Sequence, residues 1–225
     1  MFKNKTTILF DLDGTLIDSV PDLALAVNDM LKTLGRDGFD EDTIRYWVGN
    51  GAPMLIKRAL VGRVDVKDEE IEPVLFQKAQ EIYMRAYHKY LSVATTTYPC
   101  VEETLNLLSK RNFKMAIVTN KPYEFVPPLL KGLGIDKYFD VIIGGDSCSE
   151  KKPHPDMLEC ALKQLDSSIV QSVMIGDSKN DIIAANHLGM DSIALTYGYN
   201  YNEDISTYSP NVVFDRFDQV VEVLL

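Results

Sequence analysis

The feature that most constrains the fold is a set of short segments that are apolar almost throughout instead of at alternate positions. Such segments are typical of strands buried on both faces of a parallel sheet, because a strand with one solvated face alternates apolar and polar residues. The sequence predicts strands over Thr6–Phe10, Lys114–Thr119, Val141–Gly145, Val173–Gly176, Ser192–Thr196 and Asn211–Phe214.

Helical patterns separate these strands in the later part of the chain. Apolar residues recur at helical spacing in Val101–Lys110, Met157–Leu165 and Ile182–Leu188. Gly189 and Gly134 are expected just past helix ends, where glycine is favoured, and the pair Pro127-Pro128 either begins or breaks the helix before Gly134. Strands that alternate with helices predict an α/β fold with a doubly wound, Rossmann-like parallel sheet.

Residues 18–90 interrupt this alternation, because no strand pattern is found there. One helical stripe is expected over Leu23–Leu34 and is closed by Gly35, and a longer helix is expected over Ile71–Tyr90. We therefore predict an α/β core domain, the catalytic one if the chain is an enzyme, built from residues 1–17 and 91–225. An all-α cap domain, residues 18–90, is inserted after the first strand.

Charge and composition narrow the classes of function. The chain has 23 Lys and Arg against 33 Asp and Glu, and its net charge of −10 disfavours nucleic acid and anionic membranes as partners. No apolar segment approaches the ~18 residues of a membrane span. Three cysteines (Cys100, Cys148 and Cys160) are too few and too scattered for a disulfide framework, and their odd number suits a reducing cytosol. We expect a cytoplasmic protein, either a monomer or a homodimer.

The sharpest motif is Asp11-Leu12-Asp13-Gly14-Thr15, directly after the first predicted strand. Side chains two residues apart in an extended segment point the same way, and ligands bind at the carboxyl ends of strands in open α/β sheets. Asp11 and Asp13 are therefore candidates to face one Mg²⁺ ion, which prefers one or two carboxylates together with water and phosphate oxygens. The alternative is that Asp13-Gly14 is only a turn.

Three further segments carry polar residues that could meet at the same sheet edge. Asp177 follows another predicted strand, and Asp181 lies one helical turn beyond it, although this motif taken alone is better explained as an Asp/Ser helix cap. Thr119 and Asn120 end a third strand and could hold phosphate oxygens, or form a simple turn. Lys152, next to a proline, is either a positioned cation or a solvated charge. Together they would let an acidic protein bind a phosphate.

At this point the residues resemble a known family. The chain is similar to the haloacid dehalogenase superfamily in the order and spacing of four motifs, carried by Asp11-x-Asp13-Gly14-Thr15, Thr119, Lys152-Pro153 and Gly176-Asp177-x-x-x-Asp181. The helical insert after the first motif resembles the α-helical cap of that superfamily. One departure is Cys100, which stands where relatives usually carry glycine.

The resemblance implies a role for each of these residues. Asp11 would be the nucleophile that forms an aspartyl-phosphate, and Asp13 would act as general acid and then general base. The Asp11 carboxylate, the Asp13 backbone carbonyl and Asp177 would hold Mg²⁺, with Asp181 as an indirect partner of the ion. The phosphate oxygens would be held by Thr119, by the backbone of Asn120 and by Lys152.

Within the superfamily, Asp11–Leu25 and Trp47–Leu60 resemble bacterial phosphoglycolate phosphatases most closely. That resemblance implies Mg²⁺-dependent hydrolysis of 2-phosphoglycolate, with Asn50 of the cap as a residue that binds the substrate. Arg45, Lys57 and Arg58 are candidate substrate cations or, alternatively, exposed helix charges. The core motifs equally fit a phosphatase or phosphomutase for another small phosphorylated metabolite, such as a sugar phosphate or nucleotide. A non-catalytic module that binds phospho-ligands is the remaining alternative.

Overall fold

The computed structural model describes residues 2–225 of the chain. Its strands, in chain order, are β1 (Thr7–Phe10), β2 (Ile17–Asp18), β3 (Thr96–Thr97), β4 (Lys114–Val118), β5 (Val141–Ile143), β6 (Ser172–Gly176), β7 (Asp191–Leu195) and β8 (Val212–Phe214). Within the described residues, six strands form one parallel sheet in the spatial order β5-β4-β1-β6-β7-β8, and β2 pairs with β3. The strand order changes direction at β1, which is the place where doubly wound sheets bind their ligands.

All six predicted strands are present, with bounds that shift by one or two residues at most. Every residue of β1 and β6 is buried, as their unbroken apolar character predicts. In register, Ile8 of β1 lies beside Met115 of β4 and Val173 of β6. The predicted doubly wound parallel sheet is confirmed.

The contacts within the chain divide it into two compact units. A core unit comprises the chain up to Asp18 and from Thr97 to Leu225, and a helical unit comprises Ser19–Thr96. The predicted domain boundaries, at 17/18 and 90/91, differ from these by one and six residues. The segment after residue 90 stays with the helical unit because the buried Asp22 carboxylate accepts hydrogen bonds from the backbone N–H groups of Val93, Ala94 and Thr95.

The helical unit contains α1 (Val20–Thr33), α2 (Glu41–Arg45), α3 (Ala52–Val61) and α4 (Pro73–Tyr90), with a short 3₁₀ helix at Asp68–Glu70. The two longest helices correspond to the two helical patterns in the sequence. Gly35, with φ of +70°, lies just past the end of α1, a conformation that glycine adopts without strain. Tyr83 and Tyr87 of α4 stack with ring centroids 5.8 Å apart and are buried inside this unit.

The core unit contains α5 (Val101–Lys110), α6 (Val126–Gly132), α7 (Asp156–Gln164), α8 (Lys179–Leu188) and α9 (Val220–Leu224). Pro127 and Pro128 lie in the first turn of α6, where a missing N–H is tolerated, so the pair begins this helix instead of breaking it. α8 begins three residues before its predicted start, because the Asp181 carboxylate accepts from the N–H and hydroxyl of Ser178. Among the described residues, no helix combines the length and apolar character needed to cross a membrane.

Two of the three cysteines lie next to each other in the structure. The structure pairs Cys148, in the loop after β5, with Cys160 of α7 as a disulfide. The two are twelve residues apart in sequence, and both pack against the same apolar cluster. Cys100 is exposed and precedes α5 in the left-handed region, with φ of +63°. Glycine adopts this backbone without strain, whereas it costs other residues roughly 1 kcal/mol.

Candidate active site

Four predicted site residues meet at the carboxyl edge of the sheet. Asp11 directly follows β1, and Asp177 directly follows β6. One carboxylate oxygen from each of Asp11, Asp177 and Asp181 lies within 4.8 Å of the others, and all three side chains are buried. Lys152, from the loop before α7, reaches this cluster and places its ammonium 2.8 Å from an Asp11 oxygen.

Lys152 is the cation that holds the cluster together. Its Nζ donates to Asp11 Oδ1 at 2.8 Å, to Asp181 Oδ1 at 2.6 Å and to the Val118 carbonyl at 2.6 Å. These three bonds use all three of its N–H donors. The side chain is 2% exposed, so the alternative of a solvated loop charge is wrong for Lys152.

The charges in the cluster are unequally balanced. Burial raises the pKa of Asp11 to about 7, with the Asp181 and Asp13 carboxylates adding to the rise and the Lys152 ammonium opposing it. Burial, followed by repulsion from Asp11 and Asp181, holds the pKa of Asp177 well above its ordinary value. Burial by itself would lower the pKa of Lys152, but the attraction of Asp11 and Asp181 outweighs it and the pKa is raised. One ammonium faces three buried carboxyl groups, so their negative charge would exceed its positive charge if all three were ionised.

The excess of carboxyl groups over ammonium groups makes this cluster suitable for a divalent cation. Carboxylate oxygens within 4.8 Å of one another are a suitable donor set for Mg²⁺, and a cation among them would offset the repulsion that raises these pKa values. Asp181 accepts three hydrogen bonds from the protein, one more than Asp177. One of its oxygens accepts from Lys152 and the other from Ser178, which suits the indirect role expected for it.

Asp13 lies beside this cluster and has its own buried cation. Lys121 Nζ donates to both Asp13 carboxylate oxygens, at 2.9 and 3.1 Å, and the Lys121 side chain is 3% exposed. Sequence reasoning missed Lys121. Its position could have indicated a role in the site. Lys121 comes two residues after the predicted strand end at Thr119 and, like Lys152, directly precedes a proline. Gly145 fixes the Lys121 backbone by donating its N–H to the Lys121 carbonyl at 2.8 Å.

Thr119 and Asn120 are both buried at the end of β4. The Thr119 hydroxyl accepts from the Lys121 N–H at 3.2 Å, and the Asn120 side chain donates to the Lys152 carbonyl at 3.0 Å. Their side chains therefore link the two lysine segments. The structure brings these residues together with Asp11, Asp13, Asp177 and Lys152 within the core unit.

Asn50 and the candidate cations belong to the helical unit. Arg58 is buried and donates to the Trp47 and Val64 carbonyls and to the Asn50 side-chain oxygen, the last at 3.0 Å. The expectation of an exposed helix charge is therefore wrong for Arg58, because carbonyl groups of this unit surround its guanidinium. Arg45 does pair with Glu41 one turn away at 2.9 Å on the exposed face of α2, as that expectation predicts.

Comparison with known proteins identifies the family. A family model of haloacid dehalogenase-like hydrolases matches residues 8–195. The chain belongs to the haloacid dehalogenase-like hydrolase family. The resemblance inferred from its four motifs is thereby confirmed, and the chain is an enzyme with the fold of the phosphatases of that family.

This hydrolase is similar in sequence to two curated proteins and in structure to one solved protein, as follows. It is 51% identical over 219 residues to a phosphoglycolate phosphatase of Colwellia psychrerythraea, covering 97% of this chain and 96% of the relative. It is 46% identical over 222 residues to a phosphoglycolate phosphatase of Psychrobacter arcticus, covering 99% and 96%. A crystal structure described as a predicted phosphoglycolate phosphatase from Haemophilus somnus superposes with a TM-score of 0.92 at 36% identity, covering 100% of both chains.

Proposed function

We propose that this hydrolase cleaves 2-phosphoglycolate to glycolate and phosphate in a Mg²⁺-dependent reaction. The observation that carries the proposal is the position of Asp11, whose carboxylate lies between the Lys152 ammonium and two further carboxylates at the carboxyl end of the central strand. A carboxylate there can attack phosphorus while the charges around it hold a cation and a phosphoryl group. The proposed substrate is taken from the names of two relatives, phosphoglycolate phosphatases that this chain matches over 96% of their length.

The proposed chemistry proceeds in two displacements. An Asp11 oxygen attacks phosphorus, the bond from phosphorus to the ester oxygen breaks, and Asp13 gives its proton to the departing glycolate oxygen. Water then attacks the aspartyl-phosphate, Asp13 accepts a proton from that water, and phosphate leaves. General acid–base help of this kind contributes roughly 10²–10⁴-fold. Mg²⁺, when bound by Asp11, Asp177 and the Asp13 carbonyl, supplies positive charge against the charge that develops on the phosphoryl oxygens.

The lysines supply the remaining positive charge in this mechanism. Lys121 holds the Asp13 carboxylate in one orientation, at 2.9 and 3.1 Å, and so keeps the proposed acid within the site. Lys152 has its three donors on Asp11, Asp181 and Val118, so a phosphate oxygen would bind it by displacing one of them. Thr119 and the Asn120 backbone complete the proposed phosphate site.

The experiment that tests this proposal is phosphate release from 2-phosphoglycolate and from a panel of sugar phosphates and nucleotides, with Mg²⁺ and with EDTA. We expect Mg²⁺-dependent activity and a preference for 2-phosphoglycolate of tenfold or more, or about 1.4 kcal/mol of discrimination. Equal or higher activity on another ester would keep the phosphatase chemistry and remove the substrate assignment. Full activity in EDTA would contradict the metal requirement.

Substrate choice by the cap domain needs a test of its own. We propose that Asn50 helps to bind the substrate and that Arg58 orients its side chain through the 3.0 Å bond. Asn50→Ala should lower kcat/KM for 2-phosphoglycolate by about tenfold and change activity on the other esters much less. An equal loss on every phosphomonoester would contradict a role in specificity.

A further inference from the structure

This inference rests on the proposed function, because it concerns the residue proposed to bind Mg²⁺ after β6. Both oxygens of the buried Asp177 carboxylate are held by other parts of the core unit. The Thr15 hydroxyl donates to Oδ1 at 2.5 Å, and the Tyr199 backbone N–H donates to Oδ2 at 2.6 Å. Thr15 belongs to the first motif, whereas Tyr199 lies in a segment after β7 that no motif covers.

Two glycines enclose the same carboxylate. A Cβ atom built on Gly14 or on Gly198 would lie closer than 3.0 Å to Asp177 side-chain atoms, a separation that side chains do not tolerate. Gly14 has φ of +94°, so its backbone also favours glycine. Gly198 does not have a left-handed φ, so its backbone does not require glycine, and the lack of a side chain matters because it leaves room for Asp177. The Asp177 carboxylate fills the space that a side chain at residue 198 would occupy.

Hydrogen bonds hold the segment Tyr197–Tyr199 against the first motif and against β2. The Tyr197 hydroxyl donates to the Thr15 carbonyl at 2.7 Å, and the Tyr199 hydroxyl donates to Asp18 Oδ1 at 2.5 Å. The Tyr197 ring also packs on Tyr98, with centroids 4.5 Å apart. Tyr197 therefore contacts Thr15, and Thr15 in turn donates to Asp177. These hydrogen bonds join the segment after β7, the first motif and the carboxylate after β6 in one network.

We propose that Tyr197–Tyr199 is a positioning segment for Asp177 and that the missing side chain of Gly198 sets how well this chain binds Mg²⁺. The Tyr199 N–H holds the carboxylate in one rotamer, close to Asp11 and Asp181, and the absence of a side chain at Gly198 leaves room for that rotamer. A ligand held in this way needs no rearrangement when the ion arrives, which favours affinity. Its hydrogen bonds orient it as second-shell partners orient metal ligands elsewhere.

Gly198→Ala separates this role from a general contribution to folding. Alanine can adopt the Gly198 backbone, but the added methyl would lie closer than 3.0 Å to the Asp177 Cβ as well as to its carboxylate group. Rotation of the carboxylate alone does not relieve this contact, so the segment after β7 and Asp177 have to move apart, which displaces the metal ligand from its hydrogen-bond partners. Gly189→Ala is the control for lost stability, because Gly189 ends α8 with φ of +65° and a Cβ there would meet nothing within 4 Å.

The experiment is calorimetric titration of wild type and variants with Mg²⁺, and with Mn²⁺ as a second probe, without substrate. We expect Gly198→Ala to bind at least tenfold more weakly, and Tyr197→Phe, which loses the bond to the Thr15 carbonyl, about threefold more weakly. Tyr199→Phe keeps the backbone N–H that holds Asp177 but loses the bond to Asp18, so it should also bind about threefold more weakly. Gly189→Ala lies elsewhere and should bind like wild type. At saturating Mg²⁺, the KM of Gly198→Ala for substrate should be close to the wild-type value.

Each other outcome contradicts a definite statement. If wild type binds neither ion, the proposed metal site fails and this inference fails with it. If wild type binds Mg²⁺ and folded Gly198→Ala binds equally well, the positioning role is wrong while the proposed function stands. If near-UV circular dichroism shows that Gly198→Ala has lost its tertiary structure, the backbone gave way instead of Asp177, and the inference is likewise overturned.

Discussion

The two units of this hydrolase bury charged side chains in different surroundings. In the helical unit, the Asp22 carboxylate accepts from three backbone N–H groups and from the Thr95 hydroxyl, at 2.6 to 3.0 Å. Arg58 of the same unit donates to two backbone carbonyls and to an amide oxygen. These partners of Asp22 and Arg58 are neutral dipoles.

In the core unit, buried charges face one another. Asp11, Asp177 and Asp181 meet around one ammonium, that of Lys152, and the pKa values of Asp11 and Asp177 are raised. Dipoles that converge on one charge stabilise a single protonation state and a single conformation. Unbalanced charges instead leave the site ready to bind a cation or a phosphate. The comparison indicates that buried charge in the helical unit supports the fold, whereas buried charge in the core unit supports chemistry at some cost to the fold.

The largest expected effect is on turnover, in the core unit. Asp11→Asn removes the proposed nucleophile and should lower kcat by about 10⁴-fold or more, as removal of other nucleophiles does. The fold should survive, because asparagine has the same shape and the variant loses repulsion with Asp177 and Asp181 as well as attraction to Lys152. Phosphate release and circular dichroism measure the two effects. Near wild-type turnover would remove Asp11 from the mechanism.

The next effect is on stability, in the helical unit. Asp22→Asn places an amide donor against backbone N–H donors and should lower the free energy of unfolding by about 3 kcal/mol. Asp29→Asn, on the same helix, is the matched control, because Asp29 is partly exposed and its carboxylate pairs with Lys89 at the long distance of 3.7 Å. That control should change stability by less than about 0.5 kcal/mol. Urea denaturation measures both, and equal losses would contradict the special role of Asp22.

A third prediction concerns the second buried cation of the core unit. Lys121→Met removes the partner of Asp13 and should lower kcat about 30-fold, because the proposed acid then loses its orientation. The KM for substrate should change little, and Lys121→Arg should restore part of the activity. Steady-state kinetics on 2-phosphoglycolate separate the two constants. A raised KM with unchanged kcat would instead make Lys121 a substrate-binding residue.

The last expected effect is a dependence of stability on pH in the absence of Mg²⁺. The pKa of Asp11 is about 7 in the folded chain and near 3.8 when exposed, so between these values the folded state binds more protons than the unfolded state. In EDTA, wild type should therefore lose stability as the pH rises from about 5 to 8, by roughly 2–3 kcal/mol. Asp11→Asn should show a smaller loss, and Mg²⁺ should remove the loss in wild type. Identical pH profiles in EDTA for the two chains would contradict this account.

Much of the core could be predicted from the sequence because it depends on local pattern. Strands buried on both faces have to be apolar at every position, so β1 and β6 could be recognised without knowledge of their neighbours. The carboxyl ends of parallel strands meet at one edge, so polar residues that follow such strands are brought together by topology. This reasoning correctly grouped Asp11 and Asp177, which lie far apart along the chain.

The parts that could not be predicted depend on contacts between distant segments. Arg58 and Lys121 look like ordinary surface cations in the sequence, and only packing shows that both are buried. Cys148 and Cys160 are paired by the packing of a loop and a helix on one apolar cluster. The predicted end of the insert at residue 90 could not include the hydrogen bonds by which Asp22 holds residues 93–95 in the helical unit.

The sequence by itself determined the sheet, the insert and the identity of the carboxylates after its strands, because periodicity and strand-end position are properties of short segments. The tertiary structure decided which partner each charge has. It set Lys121 on Asp13, and it enclosed Asp177 between Gly14 and Gly198. The physical reason is that burial and electrostatic balance are sums over neighbours in space, and those neighbours are known only once the chain has folded.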